Sequence, residues 1–403
     1  MKILVISNLY PPHSIGGYEE RCRQIVDRLI ERGHEIRVLT SIHGVEKEQI
    51  ESNIHRRLKV HGYFGHPWLQ IIELYNLEKY NRSILLEEIQ SFNPDIIHIF
   101  NLNGLNKGLV LTLQENNLST VFDVSDHWLA DSLKIDVWLR WWNGETGTFK
   151  ARLARRILKI SGLANFIRAK APFAKWEDII FKRIYFGSNA LKQLTIKNGF
   201  KVEHAAVIYT GIDCKRFKQR IENKEFSRIL FVGRLHEDKD TVTAIRTLKL
   251  LPVHFSLTIY GHGEKEYVDF LKKEAQDIQD RVSFKFATAK EMVNVYSEYD
   301  VLVFTSAWEE PFSRTPLEAM ASKLPVISTL EGGTKELIRH GENALSYKTS
   351  DPSDLAKQIL QMENQPAERT RIVETAYNDV TTDFDIQRGV EKIESYLQES
   401  CSE

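Results

Sequence analysis

The sequence predicts an α/β protein built from two doubly wound domains. Short apolar runs of strand length alternate with helix-spaced apolar stripes, and this alternation runs twice, once before and once after a polar stretch beginning near residue 215. A chain of 403 residues is long enough for two or three domains with substantial cores.

Ile3 to Ile6 is a continuous apolar run closed by Ser7-Asn8 and Pro11-Pro12, the pattern of a parallel strand buried on both faces. Cys22, Ile25, Val26, Leu29 and Ile30 then follow helical spacing, with Gly33 as the stop, and Ile36–Leu39 reads as the next strand. This strand, helix, strand order is a βαβ unit. A helix is expected around Tyr80–Ser91, with strands at Asp95–Phe100, Thr120–Val124, Arg183–Phe186 and Ala205–Ile208. The second series opens at Arg228. It has strands at Ile229–Val232, Ser256–Tyr260, Val282–Phe286, Val301–Phe304 and Pro325–Ser328, and helices at Thr241–Leu251, Glu264–Ile278 and Glu291–Glu298 between them. We place a first domain at 1–210, a second at 211–385 and a last helix, 386–403, returning to the first. The polar stretch Lys215–Ser227 is read as the linker.

Composition excludes several classes. Hydrophobic residues make up 42% and charged residues 27%, as in ordinary globular proteins, and the formal net charge of -1 argues against general nucleic-acid affinity. Cys22, Cys214 and Cys401 form no disulfide framework or zinc spacing, so a reducing, cytoplasmic setting is expected. The N-terminal apolar run is too short for a signal peptide, and no stretch reaches spanning length.

Parallel sheets bind ligands at the carboxyl ends of their strands, so the residues after each strand carry the chemistry. After the first strand, Ser14-Ile15-Gly16-Gly17-Tyr18-Glu19 offers backbone amides and a helix N-terminus to a phosphate; a lone Gly-Gly is more often only a tight turn. In the second domain Arg234 and Lys239 share one loop and could neutralise a diphosphate. The densest signal is Trp308 to Met320. There Pro311 biases Glu310 to an extended backbone, Ser313 is a good N-cap, and Pro316 suits a first helical turn. Glu318 then lies about a turn into that helix, so two carboxylates stand at different depths beside a helix N-terminus. Gly261-His262-Gly263 is an incomplete dinucleotide fingerprint, and the chain has no phosphate loop of the Gly-x4-Gly-Lys kind. Asp238-x-Asp240 and Asp383-x-Asp385 are read as chance rather than as metal pairs.

Taken together, the chain resembles family 4 glycosyltransferases of the GT-B fold over nearly its whole length. The features, in the family's order, are Gly16-Gly17-Tyr18-Glu19, Pro94-Asp95-Ile96-Ile97-His98, Asp126-His127, Gly211-Ile212-Asp213, Gly233-Arg234-Leu235 with Lys239, Glu310-x7-Glu318 and Gly332-Gly333-x-x-Glu336. The resemblance implies two Rossmann-like domains facing a central cleft. It also implies a retaining transferase that takes a sugar from a nucleoside diphosphate, UDP-sugars being the commonest choice, with no metal or other cofactor. Catalysis would rest on His127, Glu310, Arg234 and Lys239. Donor binding would rest on Gly16, Gly17, Arg234, Lys239, Phe312, Ser313, Arg314 and Glu318. Some positions depart from the family's pattern: Asp240 and Phe286 stand where glycine is common, Ala344 replaces another glycine, and Pro311 removes an amide donor. The acceptor would be a glycan, glycolipid or small molecule in polysaccharide or glycolipid synthesis. Alternatives are an epimerase or phosphorylase of the same fold, or a degenerate nucleotide-sugar-binding scaffold.

Residues 131–185 break the alternation with a helical, basic and aromatic segment that includes Trp138, Trp141, Trp142, Phe149, Arg152, Arg156 and Phe166. Two readings stand: contact with an anionic membrane on the inner face, or aromatics packed against the first domain with their charges solvated.

Overall fold

A computed structural model of the chain describes residues 1–13, 16–145, 147–221 and 225–401. It comprises two units. Unit 1 holds Met1–Gly187, Leu191–Ile208 and the chain from Val390 onward; unit 2 holds Ser188–Ala190 and Tyr209–Gly389. The polar stretch Lys215–Ser227, expected to be the linker, lies inside unit 2 instead, its residues 222–224 falling outside the described ones. The reason is a wholly buried carboxylate: Asp300 accepts from Arg220 at 3.1 Å and from the Ser227 and Arg228 amides at 3.1 and 2.9 Å. Arg220, inside the stretch read as a linker, neutralises this interior anion.

In unit 1, β1 (Lys2–Ile6), β2 (Glu35–Ser41), β3 (Gln49–Glu51), β4 (Ile54–Leu58), β5 (Ile96–Ile99), β6 (Thr120–Val124), β7 (Arg183–Phe186) and β8 (Ala206–Val207) form one sheet. Its order is β3-β4-β2-β1-β5-β6-β7-β8, parallel throughout except for the antiparallel β3–β4 pair. Ile3, Leu4, Val5 and Ile6 are all buried, as an apolar run in a parallel sheet covered on both faces must be. The helix Gly17–Glu31 buries Cys22, Ile25, Val26 and Leu29, while Ile30 of the expected stripe is exposed. Gly33 ends it with φ +90°, a left-handed turn that lets the His34 amide reach back to Leu29 O at 3.1 Å. The helix expected at Tyr80–Ser91 runs Ile71–Phe92, because Glu73 takes the Gln70 amide at 2.7 Å and starts it nine residues earlier.

A buried carboxylate ties this sheet to its helices. Asp123, at the end of β6, accepts from Arg21 at 2.7 Å, from the Tyr185 hydroxyl at 2.7 Å, from Tyr18 at 3.1 Å and from Ser125 at 2.8 Å. His98 on β5 lies 2.9 Å from the Tyr185 hydroxyl, and burial pushes its imidazole down to about 4, so it stays neutral.

The segment 131–185 divides in two. Trp138 and Trp142 are buried: the Trp138 indole donates to Pro172 O at 2.9 Å, and Trp142 stacks on Phe173 at 3.7 Å. The helix Phe149–Ile160 and the helix Leu163–Lys170 instead hold exposed apolar side chains.

In unit 2, β9 (Arg228–Val232), β10 (Ser256–Tyr260), β11 (Val282–Lys285), β12 (Val301–Phe304), β13 (Val326–Ser328) and β14 (Leu345–Ser346) are all parallel, in the order β11-β10-β9-β12-β13-β14. Gly261 and Gly263, the incomplete fingerprint, serve packing: a Cβ on either would strike the carbonyl of Gly233 or Leu235. Among the described residues no helix is long and apolar enough to cross a membrane.

Replacing Asp123 with alanine leaves Arg21 buried without its anion, a loss of about 3–5 kcal/mol. Six of the seven tryptophans (all but Trp308) lie in unit 1, so tryptophan fluorescence during urea unfolding reports on it. An unchanged midpoint in Asp123→Ala would show that the network does not hold the unit together.

Candidate active site

β9 and β12 are neighbours in unit 2, and the chain leaves them in opposite directions, from β9 to β10 and from β12 to β13. This is the switch point of the sheet, where open α/β sheets bind ligands. The loop after β9 carries Arg234 and Lys239; the loop after β12 carries Glu310. The structure brings two of the expected residues into contact there: the Lys239 ammonium donates directly to Glu310 Oε1. Ser306 donates to the same oxygen at 2.6 Å, and Lys239 also lies 5.2 Å from the centre of the Trp308 ring. The two loops are sewn together by backbone as well, with Thr305 Oγ1 donating to Lys239 O at 2.7 Å and the Ala307 amide donating to Asp238 O at 2.9 Å. Glu310 and Lys239 are 9% and 14% exposed, dry enough for the pair to be strong yet open enough for a ligand to reach it.

Asp240 explains one departure from the family pattern. Its φ is +47°, a conformation that favours glycine, and the carboxylate offsets the strain by accepting from Thr243 at 2.8 Å and Ser350 at 2.7 Å. Gly332 has a similar necessity: at φ +56° its Cβ would strike the Glu310 backbone, and the next amide, Gly333, donates to Glu310 O at 2.6 Å.

The helix Arg314–Ala321 begins at Ser313, as expected, but the Ser313 hydroxyl does not cap it; it bonds Thr334 Oγ1 at 3.1 Å. Glu318 lies one turn in, its Oε2 held by the Tyr296 hydroxyl at 2.7 Å and its Oε1 3.9 Å from Arg314 Nε. Phe312 gives its ring to packing against Tyr209 and Phe384, at 5.2 and 5.6 Å. Arg234 is 56% exposed and turns to Asp238 at 3.3 Å. Phe286 stands exposed just past β11, edge-on to His262 at 5.9 Å.

Unit 1 carries the remaining expected residues. Gly16 and Gly17 are exposed at the start of the first helix, Ser14 and Ile15 lying outside the described residues. The Gly16 amide is taken by Glu19 Oε2 at 2.9 Å, so this loop has one fewer donor for an anion than its sequence suggests. His127 is half-buried in the turn after β6, anchored on one side by Asp126, which accepts from the Trp128 amide at 2.7 Å, and on the other by its own carbonyl, which accepts from Asp131 N at 2.9 Å. Asn101 donates to Asp126 Oδ2 at 2.7 Å.

Two doubly wound sheets joined in one chain are the architecture of the GT-B class of glycosyltransferases. A family model described as Glycosyltransferase Family 4 matches residues 15–216, half of the chain, and one described as Glycosyl transferases group 1 matches residues 213–379. The chain belongs to glycosyltransferase family 4. An uncharacterized glycosyltransferase of Methanocaldococcus jannaschii is 25% identical over 94% of this chain and 93% of that protein. Spore coat protein SA of Bacillus subtilis is 27% identical over 48% of this chain and 58% of its own length, so the chain spans little more than half of that relative. Anabaena HepE, solved in complex with UDP and glucose, shares the fold with a TM-score of 0.69 at 19% identity, covering 99% of this chain and 100% of that one.

Sequence reasoning missed Ser306 and Tyr296, the groups that hold the two glutamates, and the poise of Asp126. Ser306 lies four residues before Glu310, a spacing without meaning until the loop is folded; nothing in the sequence marks Tyr296. Burial pushes the Asp126 carboxyl up from 3.8 to about 7, against the pull of the Trp128 amide, with Glu19 adding to the rise. Between these two values the folded chain holds a proton that the unfolded chain has released. The contribution of this group to stability therefore falls as pH rises from about 4 to about 7, and is level above that. A carbon-13 titration of the Asp126 carboxyl is expected to show its midpoint near 7; a midpoint at an ordinary carboxylate value, about 4, would contradict the desolvation of this turn.

Proposed function

We propose that the chain is a retaining glycosyltransferase that moves a sugar from a nucleoside diphosphate to an acceptor hydroxyl, with no metal taking part. The observation that carries this reading is the Lys239–Glu310 pair at the switch point of unit 2. A diphosphate arriving beside Lys239 competes with Glu310 for its protons. The exchange pairs the ammonium with the phosphate and frees the carboxylate to accept hydrogen bonds from sugar hydroxyls. Arg234, 56% exposed beside Asp238, adds a second cation, and the N-terminus of the helix Arg314–Ala321 adds its dipole; together they neutralise the leaving group as a divalent ion would elsewhere. Glu318, held by Tyr296, accepts from the ribose diol, and the exposed Phe286 with His262 offers aromatic surface to the base.

In the reaction the bond between the anomeric carbon and the diphosphate oxygen breaks while the acceptor oxygen bonds the same face of that carbon. The acceptor proton passes to the departing phosphate oxygen, giving a glycoside of retained configuration and a nucleoside diphosphate. That HepE was solved with UDP and glucose supports trying UDP-glucose first. The acceptor class to test is a glycan or glycolipid hydroxyl. The three cysteines are free thiols, which fits a reducing compartment.

The test is a donor panel with chelator present, read as thermal stabilisation and release of nucleoside diphosphate. One donor is expected to stabilise the fold in proportion to the logarithm of its concentration. Against that donor, Glu310→Ala and Lys239→Ala are each expected to lower turnover by about 10²–10³-fold. Full turnover in either variant, or a product of inverted anomeric configuration, would overturn the mechanism, and no stabilisation by any donor would favour a scaffold without activity.

A further inference from the structure

We propose that the helix Phe149–Ile160, with the turn and helix that follow it, is the surface by which this protein docks on an anionic lipid bilayer. An α-helix advances 100° per residue, so Phe149, Leu153, Ile157 and Ile160 fall within an arc of about 80°. That arc points to solvent: the four side chains are 73%, 49%, 55% and 77% exposed, and Leu163 and Phe166 continue the exposed apolar surface at 51% and 56%. The opposite face is the one that packs. Arg155 is buried there, donating to Trp141 O at 2.8 Å with its guanidinium 5.3 Å from the Trp141 ring centre, and Leu158 packs against the core of unit 1. The helix thus buries an arginine and presents a stripe of large apolar side chains to the outside, the reverse of what a solvated helix does.

Charge selects the occupant. Lys150 and Arg156 border the stripe on its two sides, with Arg152 and Lys159 further round on the Arg156 side, and all four are exposed. Between Glu145 and Glu177 the sequence has eight lysines and arginines and no acidic residue. An apolar ridge between basic shoulders matches the boundary between acyl chains and anionic headgroups: the apolar side chains enter it and the long basic stems reach up to the phosphates. A second copy of this chain fits poorly, because pairing the stripe with itself sets basic shoulders against basic shoulders with no carboxylate between them.

The test is co-sedimentation of the full chain with phosphatidylcholine vesicles, with and without phosphatidylglycerol. It is run without donor, so its failure would leave the transferase reading standing. The partition coefficient is expected to be at least about tenfold higher on the anionic vesicles, and to fall as salt is raised. Leu153→Glu and Ile157→Glu are each expected to lower it at least about tenfold. Val253→Glu, at a site 85% exposed in unit 2, is expected to leave it unchanged, and the thermal midpoint of every variant is measured alongside. Lys150→Gln with Arg156→Gln is expected to reduce binding to anionic vesicles only. No partition, equal partition on neutral and anionic vesicles, or a vesicle-free dimer that Leu153→Glu dissociates would each overturn the proposal.

Discussion

A carboxylate half-inside a protein must be held by something, and at the carboxyl edge of unit 2 that requirement organises the loops. Glu310 is accepted into a dry position because Lys239 and Ser306 share its Oε1, and because its backbone is closed over by Gly332 and Gly333. The lysine comes from the loop after β9 and the serine from the loop after β12, so the ion pair is also the seam between the two halves of the sheet. Breaking it without replacement would strand both charges. On the function proposed above, a donor that brings its own diphosphate and hydroxyls would replace both partners at once.

Unit 1 places acidic groups at the ends of its strands too, with the opposite outcome. Asp123 has four side-chain donors around it and no exposure, so its charge is wholly spent on tying the first helix and β7 to β6. Three residues on, Asp126 has only the Trp128 amide and the Asn101 side chain, together with a distant contribution from Asn103 at 3.5 Å. Too few donors for the desolvation it suffers leave its proton on near neutrality. The two carboxylates differ in donor count: four side-chain donors surround Asp123, while Asp126 has two close ones.

The strands were legible because a parallel sheet buried on both faces demands unbroken apolar runs, and Ile3–Ile6 or Val301–Phe304 can hardly be anything else. Glu310 and Glu318 were legible because proline and a helix start bracket them. What pairs across the fold was not: Arg21 meets Asp123 from 102 residues away, and Lys107, wholly buried with its amide on Asp136, reads in the sequence as one more surface lysine. Local cues also misled where a second partner outbid the first. Ser313 has the right residue type and place for a cap, yet Thr334 takes its hydroxyl. Nor does the sequence show that the Phe312 ring packs on Tyr209 and Phe384. Asp240 shows the reverse case, an unsuitable residue in a left-handed turn made tolerable by two hydroxyl donors.

The helix Phe149–Ile160 marks a limit of periodicity itself. Spacing says that four apolar residues share a face; it does not say whether that face turns inward. The direction is set by the minority of residues on the other side. Here Arg155 finds the Trp141 carbonyl and ring, and Thr148 caps the first turn by accepting from Ala151 N at 3.2 Å, so the helix is held by its polar side. An arginine is buried only where a carbonyl or an aromatic face is waiting, and rolling the helix over would take both from Arg155. The outward stripe is thus fixed by the packing of unit 1, and its exposure is a property of the folded state that the rest of the domain enforces.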